Sequence, residues 1–334
     1  MAKFDDHPTV RRWREQSANT RSTGTVTLNI DSLRTLCLDL GADDVGFVEI
    51  DRVAIVAQHS DILGAFPPTK TLISFVCRMN QEDVRTPARS IANLEFHANY
   101  DHANEVARNI VKALAQIGVR AVNPASAFPM EMDRFPGKVW VVSHKPVAVA
   151  AGLGHMGIHR NVIHPKFGNF IALGTVLIDT EVTEYNYPIE YNPCIECKLC
   201  VVACPVGAIG TDGSFSFSAC YTHNYREFMS GFTDWTETIV ESKDVKEYRQ
   251  KVSASESASM WQSLSFKANY KAAYCIAACP AGEDVIGAFL TVGEASLKEN
   301  RKAFVREVVK PLQDRPETIY VIPEIGRASC RERV

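Results

Sequence analysis

Four cysteines, Cys194, Cys197, Cys200 and Cys204, stand at CxxCxxCxxxC spacing with Pro205 directly behind them. Three thiolates in one short loop converge on a single inorganic cluster, while the fourth, turned away by the proline, ligates a neighbouring cluster in two-cluster proteins. Zinc sites usually take two CxxC pairs and a disulfide joins only two sulfurs, so this spacing predicts iron–sulfur chemistry. Downstream, Cys220 stands alone, and Cys275 and Cys279 with Pro280 repeat the CxxxCP ending. The crossed-ligand rule then gives Cys194, Cys197, Cys200 and Cys279 to a first cluster, and Cys204, Cys220 and Cys275 to a second. The second is one ligand short, because Ala272 stands where its fourth cysteine would be. Either that centre has three irons, or His223 or a solvent molecule completes it.

The elements that must position these thiols read as alternating helices and strands. Apolar residues at helical spacing run from Ile30 to Leu40, closed by Gly41, before a strand over Val45–Ile50. Thr71–Cys77 is a buried strand after Pro67 and Pro68. A long helix spans about Ile91 to Ile117, stopped by Gly118, with strands at Val119–Val122 and Val139–Val142. Ala148–Ile158 reads as a small-residue helix running into a glycine turn, Asn161–Phe170 as strand, turn, strand, and Ile171–Asp179 as another apolar strand. Such alternation is the α/β signature. Gly152, Gly154 and Gly157 fit GxGxxG, with Asp179 at a plausible distance beyond. A dinucleotide fingerprint, however, opens a helix after a strand, and here the glycines end one.

The chain has 334 residues, 46% hydrophobic and 22% charged, enough for one large core or two smaller ones. With a net charge of −3 and no long basic block, it carries no electrostatic nucleic-acid footprint, which leaves binding to tRNA open. No apolar run is long enough for a membrane span, and the arginines at 11, 12 and 14 precede no export segment. Cys37 and Cys77 sit in apolar runs as core thiols, a usage that suits a reducing, cytoplasmic compartment. The expected organisation is a polar arm at 1–24, an α/β domain at 25–190, a ferredoxin-like iron–sulfur domain at 191–290, and a helix and strand at 291–323. The strand is Thr318–Pro323, and Leu297–Leu312 reads as a basic amphipathic packing helix. Trp235 and Trp261 are expected packing anchors in a helical stretch. Residues 324–334, with Cys330, read as a translated sequencing adapter.

With those residues in place, the chain from about Asp31 to Phe289 resembles the superfamily of epoxyqueuosine reductases and reductive dehalogenases. The likeness rests on Ala151, Gly152, Gly154 and Gly157, continuing through Pro165, Gly168, Leu173, Gly174 and Asp179, then on CxxCxxCxxxCP, Cys220 and the second CxxxCP ending. It implies a nitroreductase-like α/β domain, in the α+β or α/β class, joined to a ferredoxin-like dicluster module of the two-[4Fe-4S] type. It also implies a corrinoid (cobalamin), lined by Gly152, Gly154, Gly157, Pro165, Gly168, Leu173 and Gly174. The clusters would feed this corrinoid, and it would carry the hard chemistry.

The resemblance departs where those reductases place an aspartate acid three residues before a proline, since Ser143 stands there, ahead of Pro146. Ser143, His144 and Lys145 are the candidate catalytic groups, and His155, His159 and His164 surround the glycine turn. The implied activity is reduction of a small organic molecule or modified nucleoside, with an external ferredoxin or flavodoxin as donor. The alternatives are an electron-transfer protein without its own organic substrate and a corrinoid-handling accessory.

Overall fold

In a computed structural model, residues 4–20, 27–126, 141–220, 230–254, 257–258, 261, 274–291 and 296–314 are described. Val139, Trp140, His223, Ala272, Thr318–Pro323 and residues 324–334 lie outside them. A helix, α1 (Pro8–Thr20), occupies part of the segment read as a polar arm.

Helix α2 (Ile30–Asp39) starts where Asn29 accepts a hydrogen bond from the Ser32 N–H at 2.9 Å, and stops before Gly41 at φ +107°. It feeds β1 (Asp44–Glu49). Helix α3 (His59–Ala65) leads to β2 (Thr71–Arg78), α4 (Gln81–Arg85) and the long α5 (Arg89–Gln116), which ends ahead of Gly118 at φ +80°. A short β3 (Ala121–Val122) follows. Helix α6 (His144–Ala150), β4 (His155–Met156), β5 (Val162–Ile163) and β6 (Ile171–Ile178) complete this half. Val141 and Val142, expected in a strand, form a bend ahead of α6.

Four strands pair in the order β1-β2-β6-β3, every pair antiparallel. Alternating strands and helices often build a parallel sheet, and the antiparallel pairing here follows from where the chain re-enters. The Ile50 N–H donates to the Lys70 carbonyl at 3.0 Å, so the excursion holding α3 leaves and returns at one end of the sheet. The following strand must then run backwards. The order also excludes a dinucleotide fold at Gly152, which sits after α6 and before β4.

Alternation along each strand sends side chains to two cores. Ile73, Phe75, Cys77, Ala172 and Val176 meet Leu33 and Cys37 of α2 and Phe96, Val106, Ile110 and Leu114 of α5. Leu72, Val76, Leu173 and Leu177 meet Ile62 of α3 and Val147, Ala148 and Ala150 of α6. Helices therefore cover both faces of the sheet. Cys37 and Cys77 are core thiols here, and burial pushes both up to about 12. At Gly174 an added Cβ would lie 2.1 Å from the Phe75 ring. Gly174→Ala is expected to cost about 2 kcal/mol by overpacking, read as a lower denaturant midpoint with an unchanged slope.

The cysteine-bearing half is built of short helices: α7 (Leu199–Ala203), α8 (Ser230–Glu241), α9 (Val245–Lys251), α10 (Tyr274–Ala277), α11 (Gly287–Thr291) and α12 (Leu297–Phe304). A π turn, Val305–Val309, leads into α13 (Lys310–Asp314). Leu199, Ala203, Ala278, Phe289, Phe304 and Val309 form its small core, while Ile276, Ala277, Val285 and Leu312 join the sheet core. The two halves thus share apolar packing. Trp235 donates to the Tyr248 hydroxyl at 2.6 Å, whereas Trp261, expected as an anchor, is 58% exposed.

Candidate metal centre

The loop through Cys194, Cys197 and Cys200 is curled by two non-glycine residues in the left-handed region, Glu196 at φ 52° and Lys198 at φ 58°. Such kinks turn successive N–H groups and sulfurs inward and make a concave anion seat. Asn192 fixes the entrance by accepting from the Cys194 N–H at 2.9 Å, and Arg301 Nε donates to the Cys197 carbonyl at 2.8 Å. Cys279 arrives from the end of α10, its N–H on the Ile276 carbonyl at 3.0 Å. Arg85 of α4 donates to the Ala277 and Cys279 carbonyls, both at 3.3 Å, and lies over the rings of Phe170 and Phe304. Cys194, Cys197, Cys200 and Cys279 line one cleft with Ile158 and His159. Among the described residues, no three His, Cys, Asp or Glu side chains converge tightly enough for a single ion. The four thiols surround a space instead of a point.

Cys204, Cys220 and Cys275 form a second group. The negative charges of Cys220 and Cys204 both bear on Cys275, which is also within electrostatic reach of Cys200 in the first group. Cys204 Sγ accepts from the Ala208 N–H at 3.2 Å, and Asn161 Nδ2 donates to Cys275 Sγ at 3.8 Å.

Burial, and then repulsion among neighbouring thiolates, pushes Cys200 and Cys275 up to about 12 and raises Cys279 and Cys197 as well. Metal-free protein therefore keeps these thiols protonated at neutral pH, while iron needs thiolates. The donor set fits a cation-rich cluster that replaces those protons. Iron uptake should release protons, measurable in a pH-stat, and proceed faster at pH 9 than at pH 7. The linkage sign is that of a raised pKa. Thiol burial contributes fully to metal-free stability below the ordinary thiol value of 9 and loses that contribution as pH climbs toward about 12. A flat denaturant midpoint over that range would contradict this.

The remaining candidates are placed as follows. The Ser143 backbone is clasped by Gln58, its N–H donating to Gln58 Oε1 at 2.8 Å. His144 has Nδ1 on the Thr175 hydroxyl at 2.8 Å and Nε2 on the Ala125 carbonyl at 3.4 Å, and burial lowers its pKa to about 4. It is a neutral, fully engaged ring. His164 bridges Asp44 at 3.0 Å and two backbone N–H groups, and His155 reaches the Met156 carbonyl. His159 lines the cleft, also lowered to about 4 by burial and then by the Lys145 charge. Lys145 donates to the Arg160 carbonyl and to Asn161 Oδ1, both at 2.8 Å. The residue is exposed, yet packing around the amine still lowers its pKa, against the opposite pull of Cys275 and Cys220.

At four of the glycines expected to line a corrinoid, neighbouring protein stands where a Cβ would be. An added Cβ would lie 2.5 Å from the Tyr187 carbonyl oxygen at Gly152, 2.4 Å from that of Ile163 at Gly154 and 2.8 Å from the His159 ring at Gly157. At Gly168 it would lie 2.2 Å from the Ala281 oxygen. Leu173 is buried in the α6-side core, and Pro165 accepts from the Glu283 N–H at 2.9 Å. Arg85, Arg301 and Asn161 position the cysteines without any sequence signal, since each acts across a long stretch of chain.

Residues 187–210 match the model of the 4Fe-4S binding domain. An epoxyqueuosine reductase of Cellulophaga algicola is 33% identical over 117 residues, 31% of this chain and 38% of that protein. One of Cyclobacterium marinum is 31% identical over 196 residues, 55% of this chain and 58% of that protein. This chain thus spans less than two thirds of either relative. Among solved structures, a catabolic reductive dehalogenase aligns with TM-score 0.47 at 16% identity over 62% of this chain and 31% of its own. Epoxyqueuosine reductase from Bacillus subtilis aligns with TM-score 0.42 at 18% identity over 59% and 56%. No described helix is long and apolar enough to cross a membrane.

Proposed function

We propose, from the premise that this chain is a relative of the epoxyqueuosine reductases within the superfamily they share with reductive dehalogenases, that it is an iron–sulfur reductase. In this reading Cys194, Cys197, Cys200 and Cys279 hold a four-iron cluster, and Cys204, Cys220 and Cys275 hold a second centre beside it. The observation that carries it is the cleft, where thiols from two distant segments face one small space. The chain's own part is to orient and screen. Arg85 and Arg301 hold the carbonyls of Cys279 and Cys197 while placing positive charge behind a thiolate set. Electrons enter from a ferredoxin- or flavodoxin-type donor and leave to a small organic or modified-nucleoside substrate.

The resemblance implies a corrinoid as the last carrier. Along the strip from Gly152 to Gly174, protein fills the Cβ side of Gly152, Gly154, Gly157 and Gly168, so that side presents no cradle for it. That filling, with His144 engaged at both nitrogens, favours a second reading in which the clusters serve a partner enzyme.

Anaerobic reconstitution with iron and sulfide, followed by metal analysis and low-temperature electron paramagnetic resonance, tests the first part. Colourless protein whose thiols are paired with one another would overturn it. Titration with cobalamin, and turnover of an epoxide or a halogenated phenol by the reduced protein alone, separate reductase from electron carrier. Turnover without a partner removes the second reading, and its absence with intact clusters supports it.

A further inference from the structure

The hairpin of β4 and β5 stands between the two thiol groups. Its turn sets His159 on the cleft of the first group, and two residues later sets Asn161 Nδ2 on Cys275 of the second. Arg160, between them, is held left-handed at φ 61°, which costs a non-glycine residue about 1–2 kcal/mol. That conformation accompanies a carbonyl engaged by Lys145. The turn is closed by the Gly157 N–H on the Asn161 carbonyl at 2.9 Å and the Asn161 N–H on His159 Nδ1 at 3.1 Å.

The orientation of the Asn161 amide follows from chemistry. An ammonium only donates, so the Asn161 oxygen must face Lys145 Nζ at 2.8 Å, and the amide nitrogen is left for the sulfur of Cys275. A charge on one end of an amide polarises it and strengthens the hydrogen bond at the other end. One positive charge is thereby directed, through one side chain, at the group with three sulfurs.

We infer that Lys145 and Asn161 are positioning residues that raise the reduction potential of the second centre, by stabilising its reduced and more negative state. The inference rests on the two-centre reading above. Reduction here adds one electron from the external donor and needs no proton. Replacing Lys145 by methionine removes the charge and keeps the length. At a fixed ambient potential, the reduced-to-oxidised ratio of the second centre should then fall about tenfold, which is 59 mV for one electron.

The test is a potentiometric titration of both centres, followed by electron paramagnetic resonance, in reconstituted wild-type, Lys145→Met, Lys145→Arg and Asn161→Ala proteins. The second centre should titrate lower in Lys145→Met and, by a smaller shift, in Asn161→Ala. It should stay near wild type in Lys145→Arg, with the first cluster shifted less than the second in every variant. If Lys145→Met fails to assemble, Asn161→Ala, which removes the sulfur's donor and keeps the charge, carries the decision. An unchanged second potential in Asn161→Ala, equal shifts at both centres, or an arginine variant that behaves like methionine would each overturn the inference and leave two intact clusters. A wild-type protein without a second centre would overturn the two-centre reading itself.

Discussion

Cys279→Ala protein, reconstituted under the conditions that load the wild type, is expected to lose most of the four-iron signal assigned to the loop of Cys194, Cys197 and Cys200. Cys279 belongs to another segment, yet its thiol lines that loop's cleft, and its carbonyl is gripped by Arg85. A structural zinc site with four protein ligands binds with a free energy on the order of 10 kcal/mol, and serves as the scale here. One of four ligands then represents roughly a quarter of that, or about a hundredfold in affinity. Cys279→Ser, which offers an oxygen in the same place, should recover part of the iron. The same change at Cys37, deep in the sheet core and far from any ligand role, should leave cluster content alone. Full four-iron content in Cys279→Ala, counted per folded protein, would refute the assignment of this thiol to the first loop.

Gly168→Val is expected to lower stability by about 3 kcal/mol and to loosen the first cluster with it. Gly168 sits at φ +64°, and its added Cβ would lie 2.2 Å from the Ala281 carbonyl oxygen. In return, a Cβ on Gly282 would lie 2.4 Å from the Gly168 nitrogen. The two backbones are pressed together and tied by the Glu283 N–H to Pro165 at 2.9 Å and the Asp284 N–H to Lys166 at 3.0 Å. A side chain there adds a left-handed penalty of about 1–2 kcal/mol to overpacking of about 1–3 kcal/mol. It must also push away the segment that follows Cys279. Gly118→Ala is the control, because its φ of +80° carries the backbone penalty while nothing lies within 4 Å of the added atom. It should cost about 1 kcal/mol and spare the iron. Equal denaturant midpoints for Gly168→Val and Gly118→Ala would show that the contact with Ala281 contributes nothing.

Elements whose cause is local were readable from the residues. Gly41 closes α2, Gly118 follows the end of α5, and the apolar runs of β2 and β6 are buried strands. Strand direction was not readable, since it depends on the end at which the excursion after Ile50 returns, and that is fixed by packing of α3 against the sheet. What each glycine packs against was hidden for a related reason. A glycine in sequence announces close approach without naming what approaches, and Phe75, Tyr187 and Ala281 come from remote parts of the chain.

What the sequence by itself determined is the kind of chemistry: seven cysteines of a type and spacing that suit iron and sulfide, because ligand identity and loop spacing are local properties of the chain. Only the tertiary structure decided which of those sulfurs face a common space, which cations stand behind them, and that Lys145 and Asn161 address Cys275. Those are contacts between segments far apart in sequence. They exist only after both cores have formed, when chain entropy has already been overcome by the burial that brings the segments together.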